Sequence, residues 1–351
     1  MGTSTKRFGT GKREGHDSSA FYARGLSAPT WSTDTAVAQV PGKYLDRVFE
    51  HSSEDMRELP DNSIPVMVTS PPYHAGKNFD TDDTFEQFLA MLRRVLAETL
   101  RVLEPGGRAV INVANLGRRP YVPLASMVTA MACEIGFFPR GEIIWVKASG
   151  ASSNCAWGSW CSASNPTLRD LHEYCLCFSK GRMDRARRGR STIESDEFMA
   201  ATLSVWHLPA ESARRVGHPA PFPVALPRRF IELYSYAGDV ILDPFMGSGS
   251  TAVAAVDAGR RFVGYDVDNG YARMARRRVR QAKAAAASSA VDGSPPAAVD
   301  VADTDTASPS QTSSPSAPSK PLSTSARAVS ASAPQNSPSS RPVAERIPSS
   351  S

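Results

Sequence analysis

An apolar run, Ile64 to Val68, leads straight into Thr69-Ser70-Pro71-Pro72-Tyr73. Proline has a fixed φ and no amide hydrogen, so two in succession can continue neither a sheet ladder nor a helix. The strand must stop there and hold its last polar groups at the open end of a sheet. Ser70 brings a hydroxyl, Pro71 a carbonyl with no competing amide donor, and Tyr73 an aromatic ring. Side by side, these groups can grip a flat ring that carries an amine.

Strand and helix patterns alternate from Asp61 onward, the order that produces a mainly parallel sheet covered by helices. Between Thr84 and Leu103, apolar residues at Phe85, Phe88, Leu92, Val95, Leu96, Leu100 and Leu103 form a helical stripe. Thr84 and Gln87 make a capping-box pattern at its start, and Pro105-Gly106-Gly107 closes it. Further strands are expected at 108–114, 142–146, 173–179, 239–242 and 261–266, and helices at 124–135, 223–236 and 250–258. Two turn-rich inserts, 147–170 and 180–215, interrupt the alternation.

Composition bounds the folded part of the 351 residues. From about Lys283 the chain is almost entirely Ala, Ser, Pro, Thr and small polar residues, which cannot bury enough apolar surface to offset the entropy of ordering. Residues 283–351 are therefore expected to form a disordered tail, and residues 1–40 a disordered or loosely docked segment with Tyr22 and Trp31 as its anchors. Residues 41–282 suit one α/β domain.

The net charge of +5 and isoelectric point near 9.0 permit a polyanionic partner. Lys180, Arg182, Arg185, Arg187, Arg188 and Arg190 crowd into one stretch whose one acid is Asp184, and such a run is either a solvated loop or a phosphate contact. The five cysteines lack the paired CxxC spacings of a zinc site, and no metal is expected. Cys175 and Cys177 lie two apart in a strand-like run and should face one side as small core residues. The chain shows neither a signal-peptide pattern nor an apolar stretch long enough to span a bilayer, so the expected location is the cytoplasm.

A second constellation follows the later strand: Asp243-Pro244-Phe245-Met246-Gly247-Ser248-Gly249-Ser250-Thr251. A glycine turn lets backbone approach a ligand closely, and the helix N-terminus after it offers unpaired amides and partial positive charge. Gly247, Gly249 and Ala252 also satisfy the dinucleotide pattern GxGxxG/A, with Asp266 placed for a ribose. Asp243-Pro244-Phe245 separates the two readings. An acid at the strand end can accept from an amino group, and a phenylalanine can pack on a sulfonium side chain. A ligand with both an α-amino and an α-carboxylate group, such as S-adenosyl-L-methionine, fits this turn better than a pyrophosphate.

Taken in this order, Thr69–Tyr73 and Asp243–Thr251 resemble the amino-methylating DNA methyltransferases of the beta class, in the branch that modifies N4 of cytosine, as found in type II restriction-modification systems. Leu59-Pro60-Asp61-Asn62-Ser63, Glu104-Pro105-Gly106-Gly107, His172-Glu173-Tyr174 and Gly217–Pro223 agree with it, so the likeness covers about Leu45 to Val279. It implies a Rossmann-like S-adenosylmethionine-dependent fold, circularly permuted so that the catalytic motif precedes the cofactor motif, with helices on both faces of a mainly parallel sheet. Ser70, Pro71, Pro72 and Tyr73 would be catalytic. Asp243, Pro244, Phe245, Gly247, Ser248, Gly249, Thr251 and Asp266 would hold S-adenosyl-L-methionine, with His218 and Pro219 closing over its methionine part.

The resemblance further implies double-stranded DNA as partner, a target base flipped out of the duplex, and functional pairing with a restriction endonuclease. It places target recognition in 180–215, with Arg182, Arg185, Arg187, Arg188 and Arg190 as DNA contacts and 147–170 assisting. Serine at position 70 points to cytosine N4, whereas Asp or Asn there points to adenine N6. Carbon-5 methylation needs a cysteine nucleophile after a proline, and no cysteine here follows one. Adenine-N6 methylation is the nearest alternative. A nicotinamide-dependent oxidoreductase built on Gly247, Gly249 and Ala252 leaves Thr69–Tyr73 unexplained, and a catalytically dead DNA-binding module leaves both motifs without a purpose.

Overall fold

The computed structural model describes residues 31–72, 84–117, 120–148, 158–211 and 222–292. Tyr73, His74, Cys155, Trp157, His218, Pro219, the first thirty residues and the chain beyond Asp292 lie outside them.

Among the described residues one eight-stranded sheet organises the chain: β1 (Arg47–Phe49), β2 (Ile64–Thr69), β3 (Leu103–Val113), β4 (Phe137–Val146), β5 (His172–Lys180), β6 (Val205–His207), β7 (Val240–Asp243) and β8 (Arg261–Tyr265), in spatial order β1-β8-β7-β2-β3-β5-β4-β6. Every neighbouring pair is parallel except β3·β5 and β5·β4, so β5 alone runs against the rest. The helices are α1 (Phe85–Val102), α2 (Leu124–Ile135), α3 (Ser195–Ala201), α4 (Ala225–Tyr234), α5 (Ser250–Asp257) and α6 (Asn269–Asp292).

Period-2 alternation along the strands divides the core into two layers. Met67, Ala109, Ile111, Leu176 and Phe178 face α1 and α2 with Phe88, Leu92, Leu96 and Val128. Val66, Val68, Val110, Cys175 and Cys177 face α4, α5 and α6 with Phe230, Ile231, Ala254 and Ala275. Full burial of one such large aliphatic or aromatic side chain contributes roughly 1.5–3 kcal/mol. The two cysteines thus share a face as small core residues. Thr84 caps α1 as its sequence indicates: its hydroxyl accepts from the Gln87 amide at 3.3 Å and the Gln87 side chain accepts from the Thr84 amide at 2.6 Å.

The ends and inserts refine the sequence expectation at three places. Helix α6 runs on to Asp292, past residue 282, because the alanines after Lys283 are the strongest of helix formers whatever their low complexity. Residues 31–40 dock: Trp31 meets Phe138 edge to face at 5.1 Å, the Ser32 amide donates to Gly181 O at 2.7 Å, and Val40 is buried. The insert 180–215 is partly regular, since it holds α3 and the edge strand β6, each too short to show a period.

Candidate active site

Parallel strands β2 and β7 lie side by side, with Met67 opposite Leu242, so both end at the same edge of the sheet. Thr69 closes one and Asp243 the other, and the Thr69 hydroxyl donates to Asp243 Oδ1 at 2.6 Å. The Phe245 amide donates to the same oxygen at 3.0 Å. Asp243 Oδ2 is buried and carries no hydrogen bond of good geometry. Burial pushes the Asp243 carboxyl up to about 6, while Thr69, the nearby Thr251 hydroxyl and the Phe245 amide pull it down. A buried acceptor left in this condition is suited to a cationic N–H donor from outside the chain.

A polar row crosses the same edge through four consecutive strands. Asn112 on β3 donates from Nδ2 to Ser70 Oγ at 3.3 Å and to Glu173 Oε2 on β5 at 2.6 Å. Lys147, just after β4, holds Glu173 Oε1 at 2.8 Å, and Cys175 Sγ donates to Asn112 Oδ1 at 3.3 Å. The orientation of the Asn112 amide is therefore specified from both ends. A hydroxyl has two acceptor positions, so Ser70 can receive Asn112 and a substrate amine together. Pro71 is buried and Pro72 half-buried beside it.

The glycine turn between β7 and α5 is braced by its surroundings. Gly249 has φ +84°, open to glycine at little cost, and a Cβ there would stand 2.8 Å from the Ala275 Cβ of α6. Its small size thus serves close packing of α6. Asp266, after β8, accepts from the Gly247 amide at 2.7 Å and from the Asp268 amide at 2.8 Å. Burial raises its pKa and the two amides lower it. Arg278 of α6 donates to Ser248 O at 2.8 Å and to Ser248 Oγ at 3.0 Å. Pro244 and Thr251 are buried, and Phe245 packs on the core layer of α1.

Ser70, Pro71, Pro72, Asp243, Pro244, Phe245, Gly247, Ser248, Gly249, Thr251 and Asp266 are thereby gathered at one edge of the sheet. The basic run does not join them. Because β5 is antiparallel, Lys180 leaves the sheet beside the start of β3, at the end opposite Ser70. There the Arg185 side chain, 7% exposed, pairs with Glu104 and Asp239 at 2.6 Å each. Burial works against the Arg185 charge, but Asp239 and Glu104 outweigh it and its pKa is raised; Glu104 is pushed up by burial. Arg187 reaches the same two acids at 3.5 and 3.4 Å, and Arg182 pairs with Asp184 at 3.1 Å. Arg188 and Arg190 are exposed at that same far end. Arg182, Arg185, Arg187, Arg188 and Arg190, expected from the sequence as DNA contacts, thus stand at the end of the sheet away from Ser70, and carboxylates engage three of them. Both ends of the insert 147–170 are at the edge that carries Ser70, since β4 ends at Val146 and β5 begins at His172, opposite it.

Asn112, Lys147 and Arg278 were not legible as site residues. The one signal for Asn112 is an amide inside the apolar run Ala109–Val113, where a buried polar group demands partners.

The DNA methylase family model matches residues 64–277. The chain is 29% identical over 276 residues to the Type II methyltransferase M.MthZI of Methanothermobacter thermautotrophicus, covering 68% of this chain and 78% of that one. It is 27% identical over 240 residues to the DNA adenine methyltransferase YhdJ of Escherichia coli (strain K12), covering 64% of this chain and 79% of that one. A candidate DNA modification methylase from Thermus thermophilus, solved in complex with S-adenosyl-L-methionine, superposes with a TM-score of 0.54 at 29% identity, over 68% of this chain and 95% of that one.

Proposed function

We propose, from the premise that this chain belongs to the DNA methylase family, that it is a site-specific methyltransferase acting on the N4 amine of cytosine in double-stranded DNA. Methylation of an exocyclic amine of a DNA base, with S-adenosyl-L-methionine as methyl donor, is the activity of the family to which it belongs. The observation that carries the reading for this chain is the Thr69–Asp243 hydrogen bond, which joins the end of the catalytic strand to the end of the cofactor strand.

The residues present fit the cofactor. Asp243 Oδ2 is a buried acceptor in want of a donor, as an α-ammonium would supply. The turn Gly247–Gly249 presents backbone at the N-terminus of α5 for an α-carboxylate, and Asp266 stands beyond it for ribose hydroxyls. His218 and Pro219 would complete the enclosure. Bound there, S-adenosyl-L-methionine supplies an electrophilic methyl on a sulfonium.

The chain's own residues prepare the nucleophile. The cytosine amine is weakly nucleophilic because its lone pair is delocalised into the ring. Ser70 Oγ and the Pro71 carbonyl accept its two hydrogens, draw the nitrogen toward tetrahedral geometry and stabilise the positive charge that develops. Tyr73 stacks on the flipped base, and rigid placement at adjoining strand ends supplies proximity. The amine proton leaves through Ser70 or to water after transfer. Recognition of the DNA site is assigned to 147–170, whose flanking strand ends, Val146 and His172, are at the edge that carries Ser70. Similarity to Type II methyltransferases supports a protective role beside a restriction endonuclease; no described helix is long and apolar enough to cross a membrane.

Adenine N6 is the second reading, favoured by the relative named as a DNA adenine methyltransferase. Transfer of tritiated methyl groups to unmodified DNA, followed by nucleoside chromatography, decides between them: label in N4-methyl-2′-deoxycytidine is expected, and label in N6-methyl-2′-deoxyadenosine overturns the cytosine assignment.

A further inference from the structure

The displaced basic run builds a second concavity. At the end of the sheet opposite Ser70, Arg108, Arg185, Arg188, Ser191, Tyr234 and Tyr236 line a half-open cleft of about 420 Å³. Gly106 admits the run against β3: its φ is +77° and a Cβ there would fall 1.8 Å from Asp184 O. The wall of the cleft is thus fixed by backbone packing.

The charges of this region do not balance. Glu104 and Asp239 are engaged by Arg185 and Arg187, and Asp184 by Arg182. Among the described residues this leaves Arg108, Arg140, Arg188 and Arg190 without a carboxylate within ion-pair distance. Arg108 is the extreme case. It is 8% exposed, donates to the Met183 carbonyl at 2.6 Å and to the Gly106 carbonyl, and its Nε has no acceptor. Burial, with the charges of Arg140 and Arg185 adding to it, pushes the Arg108 guanidinium down to about 10. Asp184, which also lines the cleft, and Tyr234 act the other way but do not outweigh burial, so a buried cation in this setting stands at an energetic disadvantage that a bound anion reduces.

We propose that this cleft is an anion-binding site for a phosphate group, held by Arg108 and Arg188 with Arg185 and the Ser191 hydroxyl beside them. Planar guanidinium donors match the oxygens of phosphate in pairs. The rings of Tyr236 and Tyr234 lie beside the Arg185 and Arg108 guanidiniums, at 4.9 and 5.9 Å, so one face of each serves a cation. Guanidinium and hydroxyl donors in a cleft of this size suit inorganic phosphate, pyrophosphate or a small phosphomonoester. The site is independent of the proposed methyl transfer and lies at the far end of β3 and β7 from it.

The test is isothermal titration calorimetry of the full chain with sodium phosphate, pyrophosphate and ribose 5-phosphate at matched ionic strength. Saturable binding of at least one is expected, and the three arms tell free phosphate from an ester. Arg188→Gln, an exposed position, should weaken it about tenfold or more, the loss of one charge-assisted hydrogen bond. Arg273→Gln, exposed on α6, should leave it unchanged, as should saturation with S-adenosylhomocysteine. No saturable heat, equal affinity in Arg188→Gln, or competition by S-adenosylhomocysteine overturns the assignment. So does a short DNA duplex that displaces phosphate and loses affinity with Arg188→Gln, which would make the cleft a nucleic-acid contact.

Discussion

Replacing Asp243 by Asn should stabilise the cofactor-free protein, and the gain should depend on pH in a defined way. The Asp243 carboxyl has an ordinary value of 3.8 and is pushed up to about 6 by burial. A carboxyl raised on folding favours the native state fully below its unfolded value, and that contribution is lost as pH rises through the folded one. Ionising Asp243 thus costs the fold ~1.6 kcal/mol at pH 5 and ~3 kcal/mol at pH 7.5, where the cost has nearly levelled off. Asn keeps the acceptor for Thr69 and Phe245 but cannot ionise, so its packing effects add a constant at all pH values. The stability of the Asn variant relative to the wild type should therefore increase by ~1.4 kcal/mol between pH 5 and pH 7.5. Urea unfolding of both proteins at the two pH values, without cofactor, measures this double difference directly. A relative stability that does not change with pH, or that falls, refutes the account of Asp243 as a buried carboxylate lacking a counter-charge. Saturating S-adenosyl-L-methionine should raise the melting temperature of the wild type and do so far less for the variant.

Ser70→Ala should lower methyl transfer by a factor of about 100 or more while cofactor binding by calorimetry is retained, as expected for a group that acts on the developing charge. Asn112→Ala and Glu173→Gln should both lower kcat with little change in KM for S-adenosyl-L-methionine, because they act on the position of Ser70; equal loss of cofactor affinity would count against the row. Arg185→Met leaves Glu104 and Asp239 buried with weakened compensation and should destabilise the protein by about 3–5 kcal/mol in chemical unfolding. Its DNA affinity at a temperature where it stays folded should match the wild type, and a reduced salt slope of DNA binding would return Arg185 to the interface.

Much of the fold follows from short-range pattern. The apolar stripe between Phe85 and Leu103, the capping pair Thr84 and Gln87, and the prolines after Thr69 each act on residues within a turn or two, so helix α1 and the end of β2 are readable without knowledge of the rest. The grouping of Thr69–Pro72 with Asp243–Thr251 is legible as well, because the C-terminal ends of parallel strands lie at the same edge of a sheet. Three-residue β1 and β6 carry no period and went unread. The low-complexity alanines after Lys283 spoke for disorder by composition and for helix by propensity, and α6 shows propensity prevailing up to Asp292 where the helix grows from a packed first half.

By itself the sequence determined the alternation of elements, the identity of the two motifs and their order along the chain, all properties of neighbours in sequence. The tertiary structure alone decided on which edge of the sheet each insert lies. That depends on the direction of one strand, β5, whose reversal keeps 147–170 at the catalytic edge and sends Lys180–Arg190 to the other. A strand and its reverse bury the same alternating face, so nothing in Glu173–Ser179 reveals its direction. Only its pairing with β3 and β4 does, and with that pairing came the contact of Asn112 with Glu173 and the engagement of Arg185 by acids from two distant strands.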